Sequence, residues 1–218
     1  MKLQKSQTLL MIGDSITDCE RARPRGEGLF GAIGKGYVAQ VDALLNTVYP
    51  QLQLRVINMG SSGNTIRDLK NRWQTDVLDL KPDWLSIMIG INDVWRQHDL
   101  PLMKEQHVYL DEYESTLDAL VAQTLPTLKG LVLMTPYFME TNPADAMRAN
   151  MDKYGQAVKK TAKRYNTLLV DTQAAMNQVL AHYYPATLGW DRVHPNLIGH
   201  MTLARAFLDA VDFSWDGK

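Results

Sequence analysis

With one cysteine, Cys19, the chain can form no internal disulfide, so packing alone must hold the fold. That usage fits a reducing compartment. Cys19 itself reads as a small packed or idle residue, since nothing around it in sequence marks a reactive thiol. Long apolar runs are also missing: no stretch approaches the ~20 residues that span a bilayer. The first seven residues, M-K-L-Q-K-S-Q, are mostly polar, and the apolar run after them is far too short for a secretory signal. Nor is there an excess of charge. The 23 basic and 24 acidic side chains leave a net charge of −1, which gives nucleic acid or an anionic membrane no handle. Repeats, low-complexity tracts and linkers are absent from the sequence, so residues 1–218 read as one domain, long enough to bury a full core. The expectation is a soluble, cytoplasmic protein with ordinary hydrophobic and charged content, 45% and 22%.

What is present alternates. Five short segments, 9–12, 54–58, 84–89, 131–135 and 167–171, are apolar or β-branched and closed by Gly, Pro, Asn or Asp. Longer segments of mixed polarity lie between them. Residues 37–48 carry apolar side chains at Val38, Val41, Leu44, Leu45 and Val48, a helical spacing. Residues 65–80, 111–125, 144–165 and 195–211 read as helices too, with Pro82 and Pro126 acting as stops. The alternation predicts an α/β fold: a three-layer, doubly wound, mainly parallel five-stranded sheet with helices on both faces. Two connections, 18–36 and 92–110, are longer than such a fold needs and read as loops beside strand carboxyl ends, where binding tends to sit.

Four polar clusters fall at those carboxyl ends or just before the last helix. The first is G-D-S-I-T from Gly13. The second is S-G-N-T from Ser62, the third G-I-N-D from Gly90, and the fourth D-R-V-H from Asp191. Each has a plain structural explanation as a turn or a helix cap. Together they match acyl transfer. The Ser15 hydroxyl is a poor nucleophile until a base takes its proton. A histidine is the side chain suited to that, His194 is the candidate, and Asp191, three residues earlier, can hold its ring. With Pro195 at the first helical position, His194 would be the N-cap of the last helix. Donors for an oxyanion could come from the amides of Ser15 and Gly63 and from the Asn92 side chain.

On these four blocks, met in order over essentially the whole chain, the sequence resembles the SGNH hydrolases of the GDSL esterase/lipase superfamily. The intervening R-A-R-P-R-G-E-G from Arg21, M-I-G-I-N-D-V-W-R-Q from Met88 and A-T-L-G-W-D-R-V-H-P from Ala186 resemble the superfamily's intracellular bacterial acetylxylan esterases. The resemblance implies a flavodoxin-like SGNH fold. It assigns the nucleophile to Ser15, the rest of the triad to Asp191 and His194, and the oxyanion hole to Ser15, Gly63 and Asn92. It implies a serine esterase that needs no cofactor or metal and removes acetyl groups from xylo-oligosaccharides or other small acetyl esters. The alternatives are a lysophospholipase or acyl-thioesterase of the same superfamily, or a non-catalytic carbohydrate-binding protein on this scaffold.

Trp95 and Trp190 flank the blocks and read about equally as sugar-stacking surfaces or as core. Asp14 reads as the anchor of its turn. His98, His107, His182 and His200 lack partners at metal-ligand spacing. Phe213 and Trp215 stand on what should be a loose tail, and exposed aromatics there point to a homo-oligomer.

Overall fold

The computed structural model describes residues 1–217. β1 (Thr8–Gly13), β2 (Arg55–Asn58), β3 (Trp84–Met88), β4 (Gly130–Met134) and β5 (Leu168–Val170) form one sheet in the order β2-β1-β3-β4-β5. Every pairing is parallel, so the expected sheet is present and is parallel throughout. Its central strands are fully shielded: Leu9, Leu10, Met11 and Ile12 have no exposed surface. Burial on both faces is why they form an unbroken apolar run rather than an alternating one.

The helices that cover the sheet are α1 (Ser15–Asp18), α2 (Tyr37–Val48), α3 (Ile66–Trp73), α4 (Ile91–Asp99), α5 (Leu110–Thr124), α6 (Ala146–Tyr165), α7 (Thr172–Leu180), α8 (Pro185–Leu188) and α9 (Leu197–Ala210). One group packs α2 and α7 against α9. A second packs α3 against α5, and α4 and α5 against α6. These are the outer two of the three layers. Local chemistry sets their ends. Thr65 and Asp68 form a reciprocal capping box at the start of α3. Asp145 and Asp171 cap α6 and α7, and Asn166 closes α6 in a left-handed conformation.

Three expectations need correction. The segment 92–110 is not simply a loop, because its first part is α4. Ile91, Val94 and Trp95 recur at helical spacing and meet the core on one side, a short stripe that the surrounding polar residues obscure. The last helix begins at Leu197, not at Pro195. Asn196 caps it by accepting from the amides of Ile198 and Gly199, so His194 lies outside the helix. The tail is not loose at Phe213. That ring packs edge-on against Tyr49 at 5.5 Å, and the Tyr49 hydroxyl bonds the backbone of Ser214.

The topology decides where a ligand can sit. The chain leaves β1 for one edge to make β2, then crosses back past β1 to make β3. In a sheet of this order the crevice opens between β1 and β3, at their carboxyl ends.

Candidate active site

Ser15 stands two residues past the end of β1, at the crevice. Asp14 caps α1 by accepting from the Ile16 amide at 3.0 Å, which puts Ser15 at the first helical position, where its own amide has no intrahelical acceptor. Its hydroxyl lies 2.8 Å from Nε2 of His194, 179 residues away. Nδ1 of His194 lies 2.6 Å from Oδ2 of Asp191. A carboxylate only accepts, so the ring proton sits on Nδ1 and Nε2 accepts from Ser15. Oδ1 of Asp191 accepts from the amides of Val193 and His194, both at 2.9 Å. Burial alone would push this carboxyl up. The bonds from His194 and the two amides outweigh it and hold Asp191 below the usual carboxylate range.

The turn 191–194 is pinned from the segment after β4. The Tyr137 hydroxyl donates to the Val193 carbonyl at 3.2 Å, the Met139 amide to the Arg192 carbonyl at 2.9 Å, and Arg192 pairs with Glu140 at 2.5 Å. Gly189 is required beside it, since a Cβ there would stand 2.2 Å from the His194 carbonyl oxygen.

Gly63 and Asn92 reach the same crevice from β2 and β3. Gly63 has φ +80 in a turn closed by the Asn64 amide donating to the Ser61 carbonyl at 3.2 Å, a conformation that favours glycine. A Cβ on it would meet nothing within 4 Å, so conformation, not crowding, explains the residue. Asn92 is buried in the first turn of α4. It donates one Nδ2 hydrogen to the Asn64 carbonyl at 3.0 Å, which leaves the second for a ligand. Amides and a serine–histidine–carboxylate chain arranged in this way can take a proton from a hydroxyl and stabilise an oxyanion on the carbon it attacks.

The family model for the GDSL-like Lipase/Acylhydrolase family matches residues 11–201. The chain belongs to that family. Within it, the chain is 63% identical over 215 residues to an acetylxylan esterase of Geobacillus stearothermophilus, covering 99% of this chain and 98% of the relative. Solved structures of that esterase, Axe2, superpose with TM-scores of 0.97 to 0.98. Three of them carry a serine, an aspartate or a histidine replaced by alanine in what are described as catalytic mutants. LAE5, described as an alpha/beta hydrolase from the metagenome of Lake Arreo, is 56% identical over 97% of this chain, with a TM-score of 0.96.

Of the two tryptophans, Trp95 is half-buried, with its ring edge-on to His194 at 5.9 Å. Trp190 is 87% exposed, which removes the core reading for it. It walls an open cleft of about 260 Å³ beside the turn 191–194, with Tyr184, Glu140 and Arg192.

The family's four blocks do not include every residue that shapes this crevice. Asp18 accepts from the Ser62 amide at 3.0 Å, from its hydroxyl at 2.8 Å and from both Arg23 Nη atoms. Burial would raise its pKa, but those bonds bring it below the usual range. Arg72 donates to the carbonyls of Gly13 and Met59, where β1 and β2 end, and to Oδ1 of Asn64 in the turn. Asp18 carried no signal of this role, since it opens the connection 18–36 and reads there as a solvated charge. Arg72 carried none, because an arginine on a helix reads as solvated.

Proposed function

We propose that the protein is a serine esterase for short acyl groups that deacetylates xylo-oligosaccharides, acting as a single domain. Ser15 attacks the ester carbonyl while Nε2 of His194 takes its proton and Asp191 holds the ring. The amides of Ser15 and Gly63 and the free Asn92 hydrogen receive the oxyanion. His194 then protonates the departing sugar hydroxyl, leaving an acetyl group on Ser15. Water, deprotonated by the same ring, attacks that acetyl, and acetate leaves as the Ser15 hydroxyl recovers its proton. The observation that carries the reading is the unbroken relay from Ser15 through His194 to Asp191, at 2.8 Å and 2.6 Å.

The substrate class draws support from the acetylxylan esterase relative and from the polar character of the surrounding loops, which suits a hydrated alcohol better than a lipid. Trp190 and Trp95 are the aromatic faces offered to a sugar ring. NMR of acetylated xylo-oligosaccharides during digestion should show acetate released. Rates on aryl esters should be highest for acetate and fall toward decanoate. A maximum at long chains would replace this reading with a lysophospholipase or acyl-thioesterase, and failure of a fluorophosphonate to label Ser15 would leave only a binding protein. The single cysteine supports a cytoplasmic place. The exposed ring of Trp215, 61% accessible, supports a homo-oligomer, which light scattering tests directly.

A further inference from the structure

Three buried side-chain oxygens lack a hydrogen-bond partner among the described residues: Oε1 of Gln40, Oγ1 of Thr167 and Oδ2 of Asp93. Only the last belongs to a group that can carry charge. Asp93 has no exposed surface and stands beside Asn92 in the first turn of α4. Its other oxygen, Oδ1, accepts from the amide of Ile66 at 2.9 Å, and Ile66 is the first residue of α3. Consecutive residues of α4 therefore grip the segment after β2 at two points. Asn92 holds the carbonyl of Asn64 and Asp93 holds the amide of Ile66. Gly63 lies one residue before that grip.

We propose that Asp93 is a positioning residue for the oxyanion hole: as a buried, uncharged acid it fixes the helix carrying Asn92 to the turn carrying Gly63. The proposal rests on the reading of Gly63 and Asn92 as oxyanion donors. The uncharged state follows from the surroundings. A buried carboxylate with one oxygen unpartnered would be far costlier than the neutral acid. The ionisable groups facing it are Asp14 at the β1–α1 junction, Asp68 and Arg67 on α3, Tyr113 on α5 and Tyr154 on α6. Burial, helped by the like charges of Asp14 and Asp68, pushes Asp93 up to about 8 in spite of the Ile66 bond.

Asp93→Asn keeps a neutral acceptor for Ile66, whereas Asp93→Ala removes it. On an aryl acetate, the Asn variant should keep kcat within about threefold of wild type. The Ala variant should lose about 10- to 100-fold in kcat with KM nearly unchanged, because displaced donors weaken the transition state more than the ground state. Stability supplies an independent readout. The unfolded chain loses this proton near pH ~3.9, whereas the folded protein holds it to about pH 8. Over that interval the folded state binds the extra proton, so wild-type stability falls as pH rises, and an asparagine carries no such dependence. The Tm of Asp93→Asn should thus climb relative to wild type between these two values. An Ala variant with wild-type kcat would overturn the proposal, as would an Asn variant more than about tenfold impaired or a Tm difference flat with pH. The Asn measurements decide it even where the Ala variant does not fold. A wild-type protein inert on aryl acetate would instead undo the esterase reading, and the Tm comparison would still report whether Asp93 is uncharged.

Discussion

Asn92 divides one amide between structure and chemistry. One Nδ2 hydrogen is used on the Asn64 carbonyl and the other is free for the oxyanion of the proposed mechanism, while Oδ1 accepts from Arg96 at 3.3 Å. Asn92→Ala removes both hydrogens at once. Losing an oxyanion donor costs about 10² to 10³ in kcat, and steady-state kinetics on an aryl acetate should show that loss in a protein that still unfolds cooperatively. A variant with full activity would exclude Asn92 from the hole. Ser15→Ala should keep only the residual rate that binding and the oxyanion donors supply. Residues of this kind were readable in the sequence because the chemistry accepts few alternatives: a hydroxyl, an imidazole, a carboxylate, a side-chain amide. Asp18, Arg72 and Asp93 were not, since they act through backbone carbonyls and amides that become neighbours only in the folded chain.

At the scale of elements, the turn 61–64 is the piece most dependent on outside support. It comes between β2 and α3 and is tethered by Asp18 from the end of α1, by Arg72 from α3 and by Asn92 from α4. Asp18→Ala frees the Ser62 amide and hydroxyl and should lower kcat by about tenfold or more with little change in KM. Loss of a buried acceptor should also cost about 1–3 kcal/mol of stability, measurable by denaturant unfolding. Equal losses in kcat and in the folded fraction would mean a purely structural role. The strands and the long helices were legible because apolar runs and 3.6-residue spacing survive in any context. α4 was missed because its apolar stripe is short and its polar residues belong to the site. The start of α9 was misplaced because Pro195 is an acceptable first helical residue, yet Asn196 can cap two amides and the helix starts after it.

Across the whole molecule, α9 returns the end of the chain to its beginning. His200 on α9 accepts through Nδ1 from the Tyr37 amide at the start of α2 at 3.2 Å, and its Nε2 lies 3.6 Å from Sγ of Cys19. Burial, with a smaller push from the charge of His194, lowers its pKa to about 4. The unfolded chain takes up this proton near pH ~6.5, so stability is full above that value and is lost as pH falls toward 4, by an amount on the order of 3 kcal/mol. His200→Gln should flatten that acid limb in thermal unfolding followed from pH 7 to 4, and an unchanged slope would assign it to other groups. The same closure sets an order of events during synthesis on the ribosome. The strand ends that present Ser15, Gly63 and Asn92 emerge within the first half of the translated chain, whereas Asp191 and His194 arrive with its last thirty residues. A nascent polypeptide can thus bring together the proposed oxyanion donors before the proposed base for Ser15 has been made. The proposed relay is complete only once the segment carrying Asp191 and His194 has docked against the end of β1.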